Sequence, residues 1–181
     1  MSAPRTVHNL VLIGFMGTGK SSVGRMAATH LHFRFLDTDE LIESRAARSI
    51  ADIFAQAGEQ VFRGIEKQVV AELAKMQKTV IATGGGLAAN AENLASLKSH
   101  ALVVCLWASP EAIWERVHTQ THRPLLQGPD PMARVRELLA VREPFYKQAD
   151  VLVNTEMRSI KEVAQQVLHQ FNLARSSSSV K

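Results

Sequence analysis

The chain has 181 residues, 46% apolar and 21% charged, a balance that excludes wholesale disorder and fits one domain of roughly 100–200 residues. Its 21 Lys and Arg against 17 Asp and Glu give a charge of +4, with no basic run of the kind that grips nucleic acid. A single cysteine excludes an internal disulfide framework and a cysteine-cluster metal site. With no apolar run of the roughly 18–20 residues that span a membrane and no secretory signal at residues 1–8, the expectation is a cytoplasmic protein without membrane or nucleic-acid partners.

Residues 9–13 form a short, nearly all-apolar run, read as a strand buried on both faces. Residues 20–31 carry Val23, Met26, Ala27 and Leu31 at helical spacing, and 33–36 read as a second strand. Residues 41–77 read as mostly helical with one break at Gly58, and Ser49 is placed to cap a helix through the N–H of Asp52. A third strand at 79–82 stops at Gly84-Gly85-Gly86, and a helix follows over 89–97. The fourth strand, 101–107, holds Cys105, read as a small core residue rather than a reactive thiol. Ser109-Pro110 opens a helix to about residue 118. Residues 132–148 read as helical with an interruption at Pro144, 151–153 as the fifth strand, and 159–171 as the closing helix. Strands alternating with helices imply an α/β fold, a five-stranded parallel sheet flanked by helices. The expected organisation is one domain over 1–173, a mobile lid over about 118–131, and a flexible serine-rich tail over 174–181.

Gly14-Phe15-Met16-Gly17-Thr18-Gly19-Lys20-Ser21 matches the phosphate-loop pattern completely, between an apolar strand and an amphipathic helix. Such a loop curls its N–H groups onto phosphate oxygens and adds the positive end of the helix. Lys20 then reaches the β- and γ-phosphates, and the Ser21 hydroxyl suits Mg²⁺. The motif implies a nucleoside triphosphate; alone it does not separate kinase, hydrolase and switch.

Asp37 and Asp39 close the second strand run, at the end of the sheet where ligands gather. Two apart in extended backbone, they point the same way, one for Mg²⁺ and one to accept a hydrogen bond from an acceptor hydroxyl. Helix capping by Asp37 or Thr38 is the plainer alternative. A calcium loop starting at Asp37 is excluded, because Ile42 and Arg48 stand where its glycine and glutamate belong.

With Phe62-Arg63 and Glu66, Gly84-Gly85-Gly86, Arg123-Pro124-Leu125-Leu126 and Arg142-Glu143-Pro144-Phe145-Tyr146 in the same order, the sequence resembles the shikimate kinase family over residues 9–171. The resemblance implies a nucleoside-monophosphate-kinase-like fold that uses ATP and Mg²⁺ to phosphorylate the 3-hydroxyl of shikimate, acting as a monomer. It assigns ATP to Gly17, Thr18, Gly19, Lys20, Ser21 and Ser22, with Arg116, Arg123 and Arg158, and the metal to Ser21 and Asp37. It assigns shikimate to Asp39, Arg63, Gly84, Gly85, Gly86 and Arg142, and catalysis to Lys20, Asp39 and the lid residue Arg123. The chemistry is consistent: a guanidinium fork suits the shikimate carboxylate, and Glu66 lies three residues after Arg63, where it can brace it.

His118 and His122 have zinc-helix spacing but lack the glutamate of that motif. No G-x-S-x-G elbow is present. The rival readings are a kinase for another acceptor, such as gluconate or a nucleoside monophosphate, and a non-catalytic nucleotide-binding module.

Overall fold

The computed structural model describes residues 6–118 and 130–179. Five parallel strands run in the order β2-β3-β1-β4-β5: β1 (Asn9–Ile13), β2 (Arg34–Asp37), β3 (Thr79–Ala82), β4 (Ala101–Trp107) and β5 (Val151–Asn154). β1 is central, paired to β3 through Val11 and Ile81 and to β4 through Val11 and Val103. Every residue of β1 is buried, as its unbroken apolar run requires.

Alternate residues of β1 feed two cores. Leu10 and Leu12 pack with Val23 and Ala27 of α1 (Lys20–Leu31) and with Val163, Val167 and Phe171 of α7 (Ile160–Ser179). Val11 and Ile13 face the other way, into a layer with Val69, Val70 and Leu73 of α3 (Ile50–Leu73), Leu94 and Leu97 of α4 (Ala91–His100), Ile113 of α5 (Pro110–Val117) and Leu139 of α6 (Pro131–Tyr146). Cys105 lies in this layer with no exposed surface, and burial pushes its thiol up to about 12. Among the described residues, no helix is long and apolar enough to cross a membrane.

Several boundaries differ from the sequence reading. Helix α2 (Thr38–Ala46) starts directly after β2, so Asp39 sits in a helical first turn and not in extended backbone. The cause is Asp37, whose Oδ1 accepts the Asp39 N–H at 3.0 Å, helped by the acidic residues Asp39 and Glu40 in that turn. The expected long helix is therefore two, α2 and α3, the second opened by the Ser49 cap on the Asp52 N–H at 3.0 Å and kinked at Gly58. Pro144 does not interrupt α6; it occupies the last turn, two residues before the helix ends. Helix α7 runs on to Ser179 instead of stopping near Phe171, so residues 174–179 are helical rather than a loose tail. Arg175 lies over the rings of Phe33 and Phe171, and the Ser176 hydroxyl donates to the Asn172 carbonyl. Extending a helix already nucleated by packing costs little. Of the lid expected over about 118–131, residues 119–129, with Arg123 and His122, lie outside the described residues, and Pro131 opens α6.

Candidate active site

The carboxyl ends of β1, β2 and β3 open into a cavity of about 440 Å³, lined among others by Gly17, Gly19, Lys20, Ser21, Ser22, Asp37, Asp39, Gly85 and Arg116. The phosphate loop closes one side. Gly19 caps α1 at φ 91, a left-handed conformation that glycine adopts without strain, and no side chain caps this helix. The first N–H groups of α1 thus remain for an anion. Lys20 Nζ donates to the Phe15 carbonyl at 2.7 Å, and the buried Thr18 hydroxyl donates to the same oxygen at 2.8 Å.

Ser21 Oγ donates to Asp37 Oδ2 at 2.7 Å. Asp37 therefore divides its oxygens, one capping α2 and one facing the loop. The capping alternative and the proximity to Ser21 both hold. These are hard oxygen donors beside a phosphate cradle. Mg²⁺ is ordinarily held by one or two such groups together with substrate phosphates and water, so the pair fits it. Among the described residues no group of three or more His, Cys, Asp or Glu forms a dedicated metal cage.

Asp39 approaches the floor of the cavity so closely that a Cβ on Gly84 would lie 2.2 Å from its Oδ1. A side chain at 84 would push the Asp39 carboxyl away. The Gly84 N–H is fixed by Thr38 Oγ1 at 2.8 Å. Burial, and then the charge of Asp37, raise the Asp39 carboxyl from 3.8 to about 6, opposed by Lys20. A carboxylate so poised is a better proton acceptor than an exposed aspartate.

Arg63 and Arg142 are 79 positions apart in sequence and meet at the glycine turn. A Cβ on Gly86 would lie 3.1 Å from Arg63 Nη1 and 3.6 Å from Arg142 Nη2. Glu66, 2% exposed, accepts from Arg63 Nη1 at 2.6 Å, as the three-residue spacing suggested. Burial raises the Glu66 carboxyl, while Arg63 and then Arg142 pull against that rise. Glu59 holds the outer face of Arg63, at 3.0 Å.

Arg116 lies at the far end, against the phosphate loop. Its guanidinium donates to the Gly17 carbonyl at 3.3 Å, to Thr155 Oγ1 at 2.9 Å and to the Thr155 carbonyl at 2.8 Å. Arg158 is not brought to the cavity wall; it is exposed and donates to Gln166 of α7. Two contributors went unassigned in the sequence. Thr155, the buried residue after β5, is marked only by its place at a strand's carboxyl end. Tyr146 donates to the Gly85 carbonyl at 2.6 Å, and its position four residues after Arg142 was the available signal.

The family model described as shikimate kinase matches residues 16–172. A shikimate kinase of Caldanaerobacter subterraneus is 45% identical over 165 residues, covering 91% of this chain and 96% of that protein. The structure of a shikimate kinase from Acinetobacter baumannii, in complex with shikimate, superposes with a TM-score of 0.88 at 36% identity, covering 98% and 97% of the two chains. A gluconokinase from Sinorhizobium meliloti, 18% identical with a TM-score of 0.63 and 96% coverage of each chain, shares the fold.

Proposed function

Because this chain belongs to the shikimate kinase family, we propose that its cavity brings MgATP and shikimate together through the residues described above. The enzyme is a shikimate kinase, transferring the γ-phosphoryl group of ATP to the 3-hydroxyl of shikimate in the route to aromatic amino acids. The convergence of Arg63 and Arg142 on the glycine turn, beside Asp39, carries the acceptor assignment. Two guanidinium groups suit one carboxylate, and buried Glu66 offsets the surplus positive charge.

In this reading the phosphates lie on the N–H groups of residues 17–22, with Lys20 against the β- and γ-phosphates. Ser21 and Asp37 hold Mg²⁺, which neutralises phosphate charge when bound. Asp39 accepts the proton of the 3-hydroxyl as that oxygen bonds to the γ-phosphorus and the bond to the ADP leaving oxygen breaks. Arg116 serves the nucleotide side. Arg123, outside the described residues, takes the phosphate-facing role that the family resemblance gives it, and Arg158 is the weakest assignment. The family resemblance supports a monomer, and the need for ATP supports a cytoplasmic location.

ADP release with MgATP and shikimate, set against quinate, gluconate, AMP and no acceptor, tests the reading. Turnover with shikimate alone is expected; turnover with another acceptor only would overturn the pocket assignment. Nucleotide binding without any acceptor-dependent turnover would leave a binding module. Arg142→Ala should raise the KM for shikimate about 10–100-fold, the scale of a lost charged hydrogen bond, with the KM for ATP little changed. An unchanged shikimate KM would remove Arg142 from the carboxylate site.

A further inference from the structure

Four of the six backbone polar groups of Gly84–Gly86 have partners among the described residues. The Gly84 N–H goes to Thr38 Oγ1, the Gly84 carbonyl accepts from the Leu87 N–H at 3.1 Å, and the Gly86 carbonyl accepts from the Ala89 N–H at 3.0 Å. The Gly84 carbonyl bond closes a turn over Gly85 and Gly86, and the Gly86 carbonyl bond belongs to the 3-10 turn at Leu87–Ala89. The Gly85 carbonyl has no such backbone partner among the described residues; it takes the Tyr146 hydroxyl at 2.6 Å. Two donors remain unused by the protein among the described residues, the N–H groups of Gly85 and Gly86. The two residues adjoin the guanidinium groups: a Cβ on Gly85 would lie 3.3 Å from Arg142 Nη1, and one on Gly86 3.1 Å from Arg63 Nη1.

A peptide group is planar and trans, so its carbonyl and the next N–H point in opposite directions. Fixing the Gly85 carbonyl therefore fixes the direction of the Gly86 N–H. Glycine peptides rotate most easily of all, so this one needs an anchor. Tyr146 is well suited: it is 1% exposed, and one helix carries it a turn beyond Arg142. Burial pushes its hydroxyl up to about 12, against the pull of Arg142. It stays a donor throughout the working pH range.

We propose that Tyr146 is a positioning residue for the acid group of the acceptor, holding the Gly85–Gly86 peptide so that its N–H and the two guanidinium groups address one carboxylate. This rests on the shikimate kinase reading of the same site and adds to it the residue that sets the donor geometry. Arg142 and Tyr146 thus act as a unit: α6 delivers a cation to the carboxylate and, four residues on, the anchor that aims the neutral donor beside it. A free peptide flip at Gly85 would turn a carbonyl oxygen toward the carboxylate, exchanging attraction for repulsion.

The test is Tyr146→Phe, which removes one oxygen and keeps the ring, assayed beside the wild type with shikimate and, by equilibrium binding, with shikimate and its uncharged methyl ester. The expected result is a rise of about five- to tenfold in the shikimate KM. The KM for ATP should stay within about twofold, and the preference for the acid over the ester should fall by a similar factor. Equal weakening of acid and ester would reveal a merely structural role and overturn the proposal. An unchanged shikimate KM, with the wild type active, would do the same. If the wild type itself shows no shikimate-dependent turnover, it is the enzymatic reading that fails, and acid-over-ester binding then tests Tyr146 on its own. Should Tyr146→Phe fold poorly, Tyr146→Met removes the same hydroxyl with a side chain that adapts to the space, and is read in the same acid-against-ester binding. Unaltered discrimination there would contradict the proposal equally.

Discussion

Asp39 carries a conflict between place and charge. Its carboxyl is raised to about 6, first by burial and then by Asp37, so the folded state holds the proton more tightly than the unfolded chain does. The stability this group contributes is complete below 3.8 and is lost as pH rises through about 6. Activity runs the other way, because a base must be ionised to accept a proton. The kcat/KM for shikimate should therefore fall below pH about 6, close to tenfold per unit, and a flat profile from pH 5 to 8 would remove Asp39 as the base. Asp39→Asn should lower kcat by about 10²–10⁴ while leaving ATP affinity nearly intact. The same substitution should raise the melting temperature at pH 8 by a few degrees, roughly 2–4 °C for each kcal/mol regained in a domain of this size. A lower melting temperature would show that the charge is satisfied by a partner. This residue was legible in the sequence, but its backbone was not. The argument from strand alternation was wrong because Asp37 caps a helix at once, a local competition that the apolar pattern does not register.

At the scale of elements, α3 contains two glycines with opposite roles. Gly58 adopts φ 79 and makes the kink; across it the rings of Phe54 and Phe62 meet at a tilt of 38° with centroids 4.6 Å apart. Gly64 lies in regular helix with nothing within 4 Å of where a Cβ would stand. Gly64→Ala should therefore stabilise the protein by about 0.5–1 kcal/mol without changing kinetics. Gly58→Ala should destabilise it by about 1 kcal/mol or more, since the left-handed conformation is costly for alanine. Denaturant titration of both variants checks the pair, and shifts of the same sign would contradict the account. The sequence reading already singled out Gly58 as the break, and its backbone angle bears that out. Caps at Ser49 and Ser109 were readable, because a hydroxyl before an apolar-periodic run has few other uses. The end of α7 was not, because the contact of Arg175 with Phe33 links residues far apart in sequence.

For the whole molecule, the pole opposite the cavity is fastened by a buried polar knot. Asn9 donates from Nδ2 to the Met76 carbonyl at 2.7 Å and accepts the Thr79 N–H on Oδ1 at 3.0 Å. That fixes the amide orientation, so the second Nδ2 proton points to His100 Nδ1, 3.0 Å away, which must accept it. The proton of the neutral ring then lies on Nε2, which is buried without a partner among the described residues. Protonation would set two donors face to face. Burial, and then the nearby His8, hold the His100 ring below its ordinary 6.5. Its contribution to stability is present above pH 6.5 and is lost as pH falls through the lower folded value. The melting temperature of the wild type should drop more steeply than that of His100→Gln between pH 7 and 5; parallel curves would contradict this. The meeting of Arg63 with Arg142 was expected only through family resemblance, and the strand order was not read at all, since neither spacing nor periodicity reports which distant elements face one another. The manner in which they meet has a consequence for descent. In the proposed reading the phosphates lie largely on the backbone of one loop, whereas the acceptor meets side chains that α2, α3 and α6 each supply separately. A duplicated copy of such a gene can exchange those few side chains one at a time and inherit its phosphate chemistry unaltered, so a new acceptor is reachable without passing through an inert ancestor.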